Sequence, residues 1–284
     1  MTVVQELPEP YRSHLPPLLA AAFAEDLPDL TSTAIFGEEE RTRAVLLVKS
    51  PGVLCGVPAF VAAFRFLDPE VAVTVHRQDG DEVARGEVAV EVRGRSRAIL
   101  QAERTALNFA TRLSGIATLT RRFVAAVAGT GCTVLDTRKT TPGWRALEKY
   151  AVRCGGGSNH RMGLFDAAML KDTHLAAAGS ITEAVSRVRE RWGAAVPLIV
   201  ECSSLEQVQE GLACGVGHLM LDNMAVEDMR RAVALVAGRA RLEASGGVSL
   251  ATVRAVAETG VDFVSVGSLT HSAPALDLSL EVTP

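Results

Sequence analysis

After Gly131 the chain settles into short apolar runs, each ending in a polar cluster and followed by helix-compatible sequence. TVLD leads into Thr137-Arg138-Lys139, AAML into Lys171, PLIV into Glu201 and HLML into Asp222. RLEA then leads into Ser245-Gly246-Gly247, and DFVSV into Gly267-Ser268. Asp222 follows Glu201 by 21 residues, Ser245 follows Asp222 by 23, and Gly267 follows Ser245 by 22. Strand-length apolar runs alternating with helices at this pace are βα units of a parallel sheet or barrel. All six polar clusters then fall at the C-terminal strand ends, on one rim, where such folds place their chemistry. A doubly wound open sheet also gathers strand ends on one edge, but two late glycine turns match the phosphate site of a barrel more closely.

The preceding residues read differently. LPPLLAAAFAED predicts a helix over Leu15 to Ala24, with its prolines in the first turn. From Arg41 to Arg93, the strand patterns RAVLLVK, VAVTVH and EVAVEV surround a short helix, PAFVAAFRFLD, and describe a small α/β domain. DGDEVARGE has the look of half a lipoyl-type hairpin, but no lysine sits at its tip, so it reads as structural. Arg97 to Ala128 is helix-compatible, with Gly115 expected as a break or kink between two helices.

Composition narrows the function. A chain of 284 residues, 48% hydrophobic, can bury a large core, and a net charge of −4 gives no global field for nucleic acid. Any anion site must therefore be local. The five cysteines are scattered without zinc spacing and read as reduced core thiols. The opening MTVVQELPEPYRSHLPPLL lacks a leader pattern, and no apolar run is long enough to span a bilayer, so a cytoplasmic protein is expected.

Ser245-Gly246-Gly247 and Gly267-Ser268 would present backbone N–H groups at helix starts, a concavity suited to phosphate. Arg138, Lys139, His160, Arg161 and Lys171 converge on the same rim, where guanidinium forks grip carboxylates and lysines act as point charges. Glu201 and Asp222, ending neighbouring strands, could hold sugar hydroxyls, bind Mg²⁺ or stabilise a cationic ribosyl carbon. His160, His174 and His271 either titrate near neutrality or act as neutral hydrogen-bonding groups, and context singles out His160. Trp144, Met162 and Met169 read as packing residues.

The stretch LDTRKTTPGWRALEKYAVRCGGGSNHRMGLFDAAMLKDTH, from Leu135 to His174, resembles the hallmark segment of the quinolinate phosphoribosyltransferase family. The resemblance continues in order through AEDLPDLTS, ERTALNFATRLSGIAT, IVECSS, LMLDNM, LEASGGV and VSVGSLTHSAPALDLSL. It implies an α/β fold in which an N-terminal α/β sandwich is followed by an incomplete parallel α/β barrel, the type II phosphoribosyltransferase arrangement. It divides the chain into 1–110, 111–272 and a C-terminal segment, 273–284, returning to the first domain. The implied activity is transfer of phosphoribosyl from phosphoribosyl pyrophosphate to quinolinate with loss of pyrophosphate and CO₂, giving nicotinate mononucleotide for NAD biosynthesis, with Mg²⁺.

Carried over, Arg104, Thr137, Arg138, Lys139, His160, Arg161 and Lys171 would hold the quinolinate carboxylates and pyrophosphate, with Arg104 reaching in from a neighbouring subunit of a homodimer or larger homo-oligomer. Glu201 and Asp222 would face ribose and metal, directly or through substrate, with Lys139 and Lys171 as their catalytic companions. Ser245, Gly246, Gly247, Val266, Gly267 and Ser268 would receive the 5′-phosphate, with His271 near that end. Thr173 and Trp144 depart from the usual family text without removing a charge. Rival readings are a paralogue using another acceptor, a Schiff-base aldolase on Lys139 or Lys171, and a noncatalytic phosphate-binding module.

Overall fold

The computed structural model describes residues 6–9 and 11–283. The first residues of the N-terminal stretch read above for a leader lie outside them. In chain order come α1 (Tyr11–Asp26), α2 (Leu30–Ile35), β1 (Arg41–Val48), β2 (Gly52–Val53), α3 (Val57–Leu67), β3 (Ala72–Val75), β4 (Glu82–Val83), β5 (Val88–Arg95) and α4 (Ser96–Ala126). Next are β6 (Thr133–Leu135), α5 (Arg145–Cys154), β7 (Ala168–Leu170), α6 (Asp172–Ala178), α7 (Ile181–Trp192), β8 (Leu198–Cys202) and α8 (Leu205–Ala213). The chain closes with β9 (His218–Asp222), α9 (Val226–Val236), β10 (Arg241–Ser245), α10 (Val253–Ala257), β11 (Phe263–Ser265), α11 (Ser268–His271) and β12 (Leu278–Thr283).

Two compact units divide these elements. The first contains residues up to Arg121, residues 140–156 and everything from Leu269 onward; the second contains Arg122–Lys139 and Gly157–Ser268.

In the first unit an antiparallel sheet runs β12-β1-β5-β3. The last strand thus pairs with the first long one, Leu46 opposite Leu280. Helix α1 starts four residues before the expected Leu15, so Pro16 and Pro17 lie inside it rather than in its first turn. Proline there removes intrahelical hydrogen bonds. Burial at Tyr11, Leu15, Leu19 and Phe23, spaced every four residues along one face, is the compensating contact. Residues 76–87 carry no hairpin of their own; β4 pairs instead with β2. Burial pushes the Asp79 carboxyl up to about 6. It accepts hydrogen bonds from the Val57 N–H and the Tyr150 hydroxyl. Its oxygen and the thiols of Cys55 and Cys154 lie within 4.8 Å of one another.

Helix α4 is continuous, and Gly115 does not break it. The glycine answers a different demand: a Cβ there would lie 2.1 Å from the Pro274 carbonyl oxygen. Residues 140–156 follow β6 yet pack with this unit. Glu148, fully buried, pairs with Arg112 at 2.8 Å and accepts from the Thr141 hydroxyl. Trp144 stacks on Phe109 at 4.6 Å, a packing role. The strict alternation expected of the apolar runs is therefore interrupted once, because the α5 face is held by a buried ion pair outside the barrel.

The second unit is the incomplete barrel. Six strands pair in the order β6-β11-β10-β9-β8-β7, every pairing parallel. They are the six apolar runs of the sequence, and they are continuous rather than alternating because both faces are covered. β6 and β7 are the two ends of this sheet, and an isolated parallel bridge joins Leu135 of β6 to Ser158 in the loop after α5. The connecting helices are capped locally: Ser180 accepts from Glu183 N–H at α7, and Ser204 from Gln207 N–H at α8. All five cysteines are free thiols, three of them buried. No helix among the described residues is long and apolar enough to cross a membrane.

Since the atoms meeting a Cβ at position 115 are backbone, they cannot swing aside. Gly115→Ala is expected to cost about 3 kcal/mol of stability, read from urea unfolding; an unchanged midpoint would show the two segments can separate freely.

Candidate active site

A cleft of about 510 Å³ opens at the C-terminal strand ends of the second unit. Each wall is a strand tip. Strand β6 delivers Thr137, Arg138 and Lys139; β7 delivers Lys171; β8, Glu201; β9, Asp222; and β10, Ser245, Gly246 and Gly247. His160 and Arg161 enter from the loop before β7.

The loop bearing His160 and Arg161 is tied down by the carboxylate of Asp136, fully buried just past β6. Its oxygens accept from Asn159 Nδ2 at 2.6 Å and His160 N–H at 2.8 Å. Arg161 donates to the Ala167 carbonyl at 2.8 Å and to the Met169 sulfur at 3.5 Å. Met169, expected only to pack, thus lines the cleft. Burial and then the charge of Arg138 push the Arg161 guanidinium down. Arg138 itself keeps a buried Nε with no hydrogen-bond acceptor among the described residues. The two guanidinium groups thus lie close enough for their charges to oppose one another.

Lys171 Nζ donates to Glu201 Oε1 at 3.0 Å, one positive and one negative strand tip side by side. Its backbone N–H donates to His174 Nδ1 at the α6 start. The Thr173 side chain is exposed. Asp222 accepts from Asn223 Nδ2 at 2.8 Å. Asn223 adopts a left-handed backbone, φ 54°, and its N–H donates to Ser245 O. Gly246, at φ 96°, would with a Cβ stand 2.1 Å from Asn223 Oδ1. Glycine is therefore required where the β9 and β10 tips touch. The turn does not open a helix as expected: α10 begins only at Val253, so the amide concavity belongs to the turn itself.

Val266 is buried, its N–H bonded to Leu135 O, while Gly267 and Ser268 lead into the short α11 beyond the cleft lining, which includes Ser265. His271 and Arg104 are exposed residues of the first unit. The sequence reading missed Asp172, Met220, Asn223 and Glu243 in the lining. Glu243 carried a signal: RLEA places a glutamate where a buried parallel strand should be apolar.

Glu243 is fully buried in mid-β10. His218 Nε2 stands 2.9 Å from its Oε2 and His160 Nε2 3.3 Å from the same oxygen. Both lie within ion-pair reach, and neither is aligned as a hydrogen bond. Burial pushes the carboxyl up, the two imidazoles outweigh it, and the group is held at about 2.

Comparison with known proteins matches this architecture end to end. The family model described as quinolinate phosphoribosyl transferase, C-terminal domain, covers residues 116–281, and its N-terminal counterpart covers 29–114. The chain belongs to the quinolinate phosphoribosyltransferase family. Among family relatives, the probable nicotinate-nucleotide pyrophosphorylase [carboxylating] of Bacillus subtilis is 44% identical, over 94% of this chain and 92% of its own length. The chloroplastic nicotinate-nucleotide pyrophosphorylase [carboxylating] of Arabidopsis thaliana is 41% identical over 93% of this chain and 82% of its own. The crystal structure of NadC from Streptococcus pyogenes superposes with a TM-score of 0.94 at 41% identity, covering 98% of this chain and 99% of that one. The nicotinate-nucleotide pyrophosphorylase of Francisella tularensis gives 0.92 at 36%, each chain covered completely at 100%.

The depressed Glu243 value sets a pH dependence. Stability contributed by a carboxyl lowered from 4.5 is present above 4.5 and lost as pH falls towards about 2. Over that interval the wild-type chain is expected to lose about 3 kcal/mol that Glu243→Gln does not. Urea unfolding at a series of pH values checks this, and equal losses in both chains would rule it out.

Proposed function

We infer that this chain carries out its family's reaction: phosphoribosyl passes from phosphoribosyl pyrophosphate to the ring nitrogen of quinolinate, pyrophosphate and CO₂ leave, and nicotinate mononucleotide forms for NAD biosynthesis. The observation that carries the reading is the convergence of Arg138, Arg161 and Lys171 on one cleft with Glu201 and Asp222. A pyridine diacid suits it. Two planar forks grip two carboxylates bidentately and so orient the ring nitrogen, which is most of what the transfer needs.

Asp222 and Glu201, on neighbouring strand tips lining the cleft, would meet ribose hydroxyls and stabilise positive charge developing at the ribosyl carbon. The Ser245-Gly246-Gly247 turn supplies amides for the 5′-phosphate. The same two carboxylates offer the hard oxygen donors magnesium prefers, shared with substrate phosphates, which fits Mg²⁺ as the cofactor. The chemistry magnesium supplies there is neutralisation of charge on the departing diphosphate. After transfer, the bond from the ring to the 2-carboxylate breaks. Its electron pair stays on the ring carbon beside the new ring cation, and that carbon is then protonated. No covalent nucleophile takes part, and the Lys171 pairing with Glu201 argues against a Schiff-base role for that lysine.

Arg104, exposed on α4, serves the active site of a second copy in our reading, making the working unit a homodimer or larger homo-oligomer. Free cysteines throughout suit a cytoplasmic setting.

Purified protein with quinolinate, phosphoribosyl pyrophosphate and Mg²⁺ is expected to yield nicotinate mononucleotide, CO₂ and pyrophosphate. Turnover of nicotinate in place of quinolinate, or of neither, would overturn the reading and point to another acceptor. Arg138→Ala is expected to raise the quinolinate KM about 30-fold or more, the consequence of losing roughly 2 kcal/mol or more from a desolvated charge pair.

A further inference from the structure

A carboxylate with no exposed surface and no aligned hydrogen-bond donor among the described residues needs a reason to exist, since an apolar side chain would fill mid-β10 at lower cost. Glu243 has a neighbour that connects it to the cleft. His160 points Nε2 towards the Glu243 carboxylate, 3.3 Å away. On the other side of the ring, His160 Nδ1 accepts a hydrogen bond from the Arg161 backbone N–H at 2.7 Å. A nitrogen that accepts carries no proton, so this network assigns the ring proton to Nε2, the edge that faces negative charge. The two contacts reinforce one another. If the proton moved to Nδ1, it would confront the Arg161 N–H, and a bare Nε2 lone pair would confront the carboxylate.

We propose that Glu243 is a positioning residue for the Arg161 clamp: through His160 it fixes the backbone from which Arg161 enters the cleft. The loop then meets two buried carboxylates, Asp136 hydrogen-bonded to the His160 backbone N–H and Glu243 facing the Nε2 edge of the ring at 3.3 Å. His218, on the far side of Glu243 at 2.9 Å, gives the carboxylate a second polar neighbour and leaves His160 free of sole responsibility for its charge. In this role Glu243 acts through His160 rather than on the substrate. It belongs to the site as the outer partners of metal-bound histidines do, setting tautomer and ring orientation.

The role of Arg161 rests on the quinolinate reading above, so the first measurement involves no substrate. In the ligand-free full-length chain labelled with ¹⁵N-histidine, long-range ¹H–¹⁵N spectra, assigned with His160→Asn, are expected to show His160 protonated at Nε2 and accepting at Nδ1. Protonation at Nδ1 would overturn the proposal even if the enzymatic reading stands. In Glu243→Gln, which keeps the side-chain size and removes the charge, the quinolinate KM is expected to rise about 10-fold or more, the usual scale for outer-shell partners. The KM for phosphoribosyl pyrophosphate is expected to stay unchanged. Glu243→Asp, which restores charge one methylene short, is expected to recover part of the loss. Equal increases in both KM values, a fall in kcat alone, or no change in either variant would sink the proposal. Failure of Glu243→Gln to fold leaves the wild-type spectrum as the deciding test.

Discussion

Parallel pairing in the second unit is the constraint from which the chemistry follows. With Asp222 opposite Ser245 and Glu201 opposite Met220, every strand runs the same way and every C-terminal tip arrives at the same rim. Residues dispersed over more than a hundred positions of sequence become neighbours only because of that shared direction. An antiparallel arrangement of the same runs would send half the tips to the opposite end. The left-handed Asn223 and the Cβ-free Gly246 are local consequences, allowing two adjacent tips to touch.

Concentrating cations at such a rim is electrostatically unfavourable, and the Arg161 guanidinium is pushed down first by its burial and then by the charge of Arg138. Besides Glu201 and Asp222 on the rim, the fold sets two further carboxylates below it. Asp136 and Glu243 are buried beside the His160 loop, and Glu201 forms a direct pair with Lys171. Placing negative charge underneath steadies the cationic residues without occupying the faces that meet the ligand. This division suits a reaction in which positioning and charge stabilisation carry the work.

The first unit shows how tertiary contacts override local expectation. Gly115 has the residue type that ends helices, yet the helix runs on and the glycine admits the Pro274 backbone. Residues 140–156 follow a barrel strand and would continue the βα alternation, but Glu148 finds Arg112 and Tyr150 finds Asp79. Prolines 16 and 17, good first-turn residues, are carried inside α1 by burial of the surrounding apolar face. In each case a contact distant in sequence outweighs a propensity worth a kilocalorie or so.

Sequence alone determined the six strands, the rim on which their tips meet, the cationic character of that rim and the family, because apolar runs, strand-end charges and long motifs are local properties written in order along the chain. Only the tertiary structure decided that Glu243 lies between two histidines, that Met169 and Asn223 join the cleft, and that Val266 to Ser268 stay beyond its lining. Those outcomes depend on which side chains face one another across neighbouring strands and loops. That is a matter of register and burial, and no single segment contains the information.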